Sequence, residues 1–380
     1  MNRVFFDNAA TTPLAPEVSS AMLEAMTHLY GNPSSIHAEG RSARAAIEQA
    51  RKKVAQYIGA SIGEIFFTSG GTESNNTALK CAVRDLGVQR IISSPIEHHC
   101  VLHSLDTLAQ HHGVAIEYLP INSKGEISLS DLQNLLEQDG RKTLVSLMHA
   151  NNEIGTMIDL EAVSALCQSF GALFHTDTVQ TMGYYPFDLS KLNISFLSGS
   201  AHKLHGPKGV GFLYINSRNL IKPFMDGGSQ ERNMRGGTEN LYGIIGLARA
   251  MELAYDQLDH TASYIRHLRD NLKVKLEATF EGIAFNGNPE NGHYKLLSVN
   301  FPPSERSELL LLNLDINGVS VSGGSACSSG AEAGSHVIAA IGGLEEYKTI
   351  RFSLSHYNTL KEIDYLLEKL EEILPERVKK

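Results

Sequence analysis

The sequence predicts an α/β protein: a large domain built on a mostly parallel sheet with helices on both faces, and a smaller α+β domain. Three observations carry this. Between about residues 60 and 215, short apolar runs alternate with helix-like segments, the rhythm of successive βαβ units. After about residue 257 the alternation gives way to a long amphipathic helix, three strand-like runs and a final helix. No apolar run approaches the roughly 20 residues that a membrane span requires.

Taken in chain order, the strand-like runs are "EIFFTS" (64–69), "RIISS" (90–94), "IEYLP" (116–120), "TLVSLMHA" (143–150), "ALFHTD" (172–177), "ISFLSGS" (194–200) and "GVGFLYI" (209–215). Helix-like segments such as "TESNNTALKCAVRDLG" and "IDLEAVSALCQSFG" lie between them, the latter closed by a glycine stop. In the second part, "HTASYIRHLRDNLKVKLEATF" (260–280) reads as a helix, and "LLSVNFP" (296–302), "GVSVSG" (318–323) and "TIRFSLSH" (349–356) as strands. The last helix begins near Thr359, which has capping-box spacing to Glu362. Its apolar residues Ile363, Leu366, Leu367, Leu370, Ile373 and Leu374 fall on one face. The expected boundaries are 13–257 for the large domain, and 1–12 with 258–380 for the small one.

Composition narrows the function classes. The chain has 380 residues and a formal net charge of −9, which argues against a nucleic-acid binder driven by phosphate neutralisation. The apolar stretch in "MNRVFFDNAATTPLAP" is too short for a signal peptide. The 4 cysteines include no CxxC pair, unlike a disulfide framework, so a cytoplasmic protein is expected. Cys81 and Cys167 sit in apolar helix-like stretches and read as buried, inert thiols. Cys100 follows two histidines. Cys327 differs, because "VSVSGGSACSSGAEAGSH" surrounds it with small residues that leave it accessible.

Three strand ends bear chemistry. After "EIFFTS", Gly70, Gly71 and Thr72 lead into a helix, so backbone N–H groups and the helix dipole can hold an anion. A plain strand-to-helix turn is the alternative, and the GxGxxG and P-loop spacings are absent. Asp177 ends an apolar run, where a carboxylate needs a cationic or hydrogen-bonding partner; it could also simply cap the next helix. Lys203, in "GSAHKLHGPKG", follows the next run. Alone it reads first as a basic surface turn, with an amine able to form a Schiff base as the alternative. An anion site, a carboxylate and an amine on one edge of a sheet is the combination that pyridoxal 5'-phosphate requires.

The chain closely resembles the cysteine desulfurase family, the NifS/IscS-like members of the class V aminotransferase group. The likeness runs almost end to end, through "DNAATTPLAPEV", "YGNPSSIH", "EIFFTSGGTESNN", "EHHCVL", "HANNEIGT", "HTDTVQTMG", "SAHKLHGPKGVG", "MRGGTEN", "SGGSACSSG" and "IRFSLSHYNT". It implies the aspartate aminotransferase-like fold type I of pyridoxal phosphate enzymes. It also implies roles. Lys203 is the Schiff-base lysine, Asp177 pairs with the pyridinium nitrogen, and His98 stacks on the ring and passes protons. Asn152 and Gln180 bond near the ring oxygen. Gly71, Thr72, Ser200 and His202 hold the phosphate, joined by Thr238 from the other subunit of a homodimer. Arg351, with Asn152, binds the substrate carboxylate; without the resemblance it reads as a structural ion pair. Cys327 is the nucleophile that takes sulfur from L-cysteine, leaving L-alanine, and passes it to an iron–sulfur scaffold or a thiolation enzyme. No metal is expected at His98, His99 and His103, whose HHxxxH spacing is not that of HExxH.

One stretch departs from the family. Ala331-Glu332-Ala333-Gly334-Ser335 stands where many relatives carry a Leu-Glu-Pro-Ser-type segment, which bears on the choice of acceptor. A selenocysteine lyase or cysteine-sulfinate desulfinase would share the cofactor site and use Cys327 differently. A sulfur-carrier-binding scaffold is the non-enzymatic alternative.

Overall fold

A computed structural model describes residues 3–323, 334–343 and 346–379. The seven strands expected between 64 and 215 form one sheet. Its spatial order is Ile65–Thr68, Gly211–Ile215, Phe196–Ser200, Leu173–Asp177, Thr143–Ser146, Arg90–Ser93, Ala115–Tyr118. Gly211–Ile215 runs antiparallel to both of its neighbours, and every other pair is parallel.

Both faces of the sheet are covered, and the residue alternation shows it directly. Ile91, Leu144, Phe196 and Leu213 enter one apolar cluster, with Leu79, Ala82, Leu105 and Leu108 of the helices Gly71–Leu86 and His99–His112. Their chain neighbours Ile92, Val145, Leu197 and Phe212 point the other way, into a cluster with Val54, Val163 and Leu247. Successive side chains on a strand face opposite sides, so a strand buried on both reads as an unbroken apolar run.

Glycines set how closely the central strands approach. Gly211 pairs with Thr68 on one side and Ser200 on the other. A Cβ there would lie 2.5 Å from Gly199 O and 2.7 Å from Gly70 Cα. One at Gly199 would lie 2.3 Å from the Phe212 ring. The "GVGF" stretch is therefore a packing requirement.

In the second part, Leu258–Thr279 is the expected long helix and Leu360–Ile373 the expected last one, with the Thr359–Glu362 capping box formed. Lys348–Ser353, Leu296–Phe301 and Ala284–Asn286 make an antiparallel sheet in that order. Of "GVSVSG", Val319–Ser320 is a strand that pairs in parallel with Val4–Phe5, and Ser322 bridges Arg351 of the three-stranded sheet. A two-residue strand shows no periodicity, so Val4–Phe5 is invisible to a pattern search. Among the described residues, no helix is long and apolar enough to cross a membrane.

Two predictions follow from this packing. Gly211→Ala lowers the urea-unfolding free energy by about 1–3 kcal/mol, because neighbouring backbone must shift; an unchanged midpoint would contradict the close approach. Burial holds His149 and His202 down to about 4 and His175 and His205 down to about 3, from 6.5. Above pH 6.5 these imidazoles are neutral in both folded and unfolded chains. Below it the unfolded chain takes up protons that the folded one refuses, so stability is lost as pH falls from 6.5 towards 4. At full effect the four give a slope of about 5 kcal/mol per pH unit, read as a steep fall of the thermal midpoint across that window.

Candidate active site

The cleft at the carboxyl ends of the parallel strands has a volume of about 250 Å³. Ligands of open α/β sheets bind at this edge. Gly71, Thr72, His98, Asn152, Asp177, Gln180, Ser200, His202, Lys203 and Arg351 all line it. Thr238 does not. It is exposed, in a separate depression beside Ser69 and Arg235, on a segment that follows left-handed residues Glu231, Arg232 and Asn233. That turn is anchored by the buried bidentate pair of Arg51 with Glu231, at 2.7 and 2.9 Å. Cys327 lies outside the described residues.

At one end of the cleft the helix Gly71–Leu86 begins at Gly70, whose φ of 152° suits glycine, with no side chain capping it. Its first N–H groups are therefore left for an anion. A Cβ on Gly71 would meet Val179 Cγ2 at 2.6 Å, which keeps the turn bare. Ser200 ends its strand alongside. His202 follows in the turn Ala201–Lys203, near Thr11 Oγ1 at 3.2 Å. Burial, helped by Lys203, Lys208 and Lys295, pushes His202 down to about 4, so it offers a neutral ring rather than a charge.

Asp177 is buried at the end of its strand. Its Oδ1 accepts the Val179 N–H at 2.9 Å, and its Oδ2 accepts Asn75 Nδ2 at 2.6 Å. Asn75 was missed in the sequence reading, although it stands one helical turn beyond Gly71. Its amide is oriented from behind. Ser146 Oγ lies 2.9 Å from His175 Nδ1, and His175 Nε2 lies 3.2 Å from Asn75 Oδ1. Burial keeps His175 neutral. Ser146 can then donate to Nδ1 and Nε2–H to Asn75, which leaves the Asn75 NH2 for the carboxylate.

Lys203 donates to the carbonyl oxygens of Ala9 at 2.6 Å and Ala10 at 2.8 Å, and Gln180 Nε2 donates to Ala9 O at 3.0 Å. The N-terminal segment is thus part of the site, through the backbone of the "DNAATT" stretch. Gln180 Oε1 is buried with no partner among the described residues. Arg351 is 1% exposed. It donates through Nη1 to Asn152 O at 2.7 Å and through Nη2 to Asp7 Oδ1 at 2.9 Å, while its Nε has no partner among the described residues. In this arrangement it is a structural ion pair on the wall of the cleft.

His98 caps the helix His99–His112, its Nδ1 accepting the Cys100 N–H at 3.1 Å. Burial holds its ring below the ordinary range; the Asp177 carboxylate opposes this and Lys203 reinforces it. A neutral ring with Nδ1 used as acceptor carries its proton on Nε2. Cys100 also lines the cleft, but burial and the Asp177 charge push its thiol up to about 12. Burial raises Cys81 to about 11 and Cys167 to about 12. All three described cysteines are thus poor nucleophiles. No group of histidine, cysteine or carboxylate side chains able to hold a metal occurs among the described residues.

This geometry, an uncapped helix start, a fixed carboxylate and a lysine along one edge of the sheet, is that of a cofactor-dependent transferase, and the aminotransferase class-V model matches residues 4–366. The chain is 44% identical to the cysteine desulfurase IscS of Dictyoglomus turgidum, covering 98% of this chain and 94% of that one. A solved NifS-like protein superposes with a TM-score of 0.91 at 40% identity, covering 98% of this chain and 99% of that one. SspA, solved in complex with cysteine, gives 0.81 at 34%, covering 94% and 100%. The chain belongs to the cysteine desulfurases of the aminotransferase class-V family.

Asn75→Ala frees one oxygen of Asp177 from a hydrogen bond to a charged group, a loss of about 1.5–3 kcal/mol. Activity is expected to fall about tenfold to a hundredfold. An unchanged kcat would mean that Asp177 does not rely on Asn75.

Proposed function

We propose that the chain removes sulfur from L-cysteine, giving L-alanine and a persulfide on Cys327, with pyridoxal 5'-phosphate bound in the cleft. The observation that carries this reading is the convergence of Lys203, Asp177 and the uncapped Gly71–Thr72 turn on one cavity. The residues fit the group. The bare helix start, with Ser200 and His202, suits a phosphate. The buried carboxylate suits a protonated ring nitrogen, and the buried, unpartnered Gln180 Oε1 leaves a polar position to be filled.

Bound there, pyridoxal phosphate supplies an electron sink that makes the Cα proton of cysteine removable. Lys203 is the group to take that proton and return it. Asp177, fixed by Asn75 and the Val179 N–H, would keep a proton on the ring nitrogen of the bound group, and Asn152 and Gln180 would hydrogen-bond its ring oxygen. His98 presents Nε2–H and so delivers a proton before it can accept one. Arg351 supplies the positive charge for the substrate carboxylate, which suits a planar guanidinium, and it does so beside its existing partner Asp7. The Cys327 thiolate attacks the cysteine sulfur. The C–S bond breaks, an S–S bond forms, and the carbon that loses sulfur gains a proton to become the methyl group of alanine.

The same reading gives Thr238 to the neighbouring subunit of a homodimer. Its exposure outside its own cleft supports that, as do the exposed apolar side chains of Leu23, Tyr30 and Ile36. A cytoplasmic protein, a division at 13–257 against 1–12 with 258–380, and a sulfur acceptor in iron–sulfur assembly or thiolation complete the proposal.

Incubation of pyridoxal phosphate-loaded protein with L-cysteine should add one sulfur atom to the Cys327 peptide, read by mass, and release alanine. Cys327→Ala should lose the added sulfur and alanine formation together. Alanine formation on cysteine that survives Cys327→Ala would overturn the persulfide route. Activity of that variant restricted to selenocysteine would point to a lyase.

A further inference from the structure

Lys295 is buried completely, at 0% exposure, and is not among the residues lining the cleft. A lysine in such a place keeps its charge only beside a carboxylate. The charges acting on Lys295 are instead the positive ones of Lys203 and Arg351, which add to burial in holding it well below the usual lysine range. In either charge state its amine is an N–H donor.

What it donates to is the turn that presents Lys203. Lys295 Nζ lies 3.4 Å from the carbonyl oxygen of Lys203 and 4.0 Å from the centre of the Tyr184 ring. Tyr184 Oη donates to the same carbonyl oxygen at 3.0 Å. Within the turn Ala201–Lys203, Leu204 N donates back to Ala201 O. The stretch before Lys295 fastens the other partner: Tyr294 Oη donates to Tyr184 O at 2.6 Å, and His293 Nε2 lies 2.9 Å from Gln180 O. Lys295 itself is pinned where Leu354 N donates to its carbonyl oxygen at 2.8 Å.

We infer that Lys295 is a positioning residue for Lys203: with Tyr184 it clamps the Lys203 carbonyl oxygen and so sets the direction from which the Lys203 amine enters the cleft. The inference rests on the reaction proposed above for Lys203.

Full-length cofactor-free protein is mixed with pyridoxal phosphate, quenched with borohydride at intervals, and the Lys203 peptide followed by mass. Lys295→Met is expected to slow formation of the reduced Lys203 adduct about tenfold without lowering the thermal unfolding midpoint. Lys295→Gln, which keeps an N–H, is expected to recover at least about half of the rate. An adduct rate for Lys295→Met equal to that of the unaltered protein, or a Gln variant as slow as the Met one, overturns the inference. Failure of the unaltered protein to form any Lys203 adduct overturns the proposed function instead. Should Lys295→Met not fold, Tyr184→Phe removes the other donor and keeps the ring. About a threefold slowing is then expected, and an unchanged rate overturns the clamp.

Discussion

The close approach of three backbones at Gly70, Gly199 and Gly211 is the constraint on which the site depends. Gly211 stands opposite both Thr68 and Ser200, so the strand carrying it is the spacer between the uncapped helix start at Gly71 and the lysine turn. Strands lie about 4.8 Å apart, which puts those two turns about 10 Å from each other across the sheet edge. The next strand over ends at Asp177 and is parallel to the strand ending at Ser200. The dimension of the cleft is thus inherited from sheet geometry, with side chains adding only the chemistry.

Burial then decides which groups are charged. Imidazoles at positions 98, 175 and 202 are held below their ordinary range, while thiols at 81, 100 and 167 are driven above theirs. Among the described residues lining the cleft, Asp177 is the acidic side chain and Lys203 and Arg351 are the lysine and arginine, set among neutral donors. Burial also keeps Cys100, despite its place in the cleft wall, chemically quiet.

Much of the fold was legible because both faces of the sheet are covered. Runs such as "EIFFTS" and "ALFHTD" then stand out, with three consecutive apolar residues each, between helices. The site residues that end those runs, Asp177 and Lys203, were legible for the same reason: a charged residue at the end of an apolar strand calls for an explanation. Asn75 and Lys295 were not legible. Asn75 owes its importance to a hydrogen bond across 102 positions of sequence, and Lys295 to a carbonyl oxygen 92 positions away. Nothing in the sequence around Asn75 or Lys295 signals either contact. The part played by Ala9 and Ala10 was hidden more thoroughly, since only their backbone oxygens take part. The pairing of Val4–Phe5 with Val319–Ser320 has no periodic trace at all.

That last pairing has a temporal meaning. Val4 meets Val319, and Asp7 reaches Arg351 across 344 positions, so these early residues find their partners only when the segment 319–351 has been made. Loop closure over such separations is slow and entropically unfavourable. The sheet can form before those residues are made, whereas the floor under Lys203, built from the carbonyl oxygens of Ala9 and Ala10, waits for them. The nascent chain thus holds its scaffold first and completes the setting of Lys203 later.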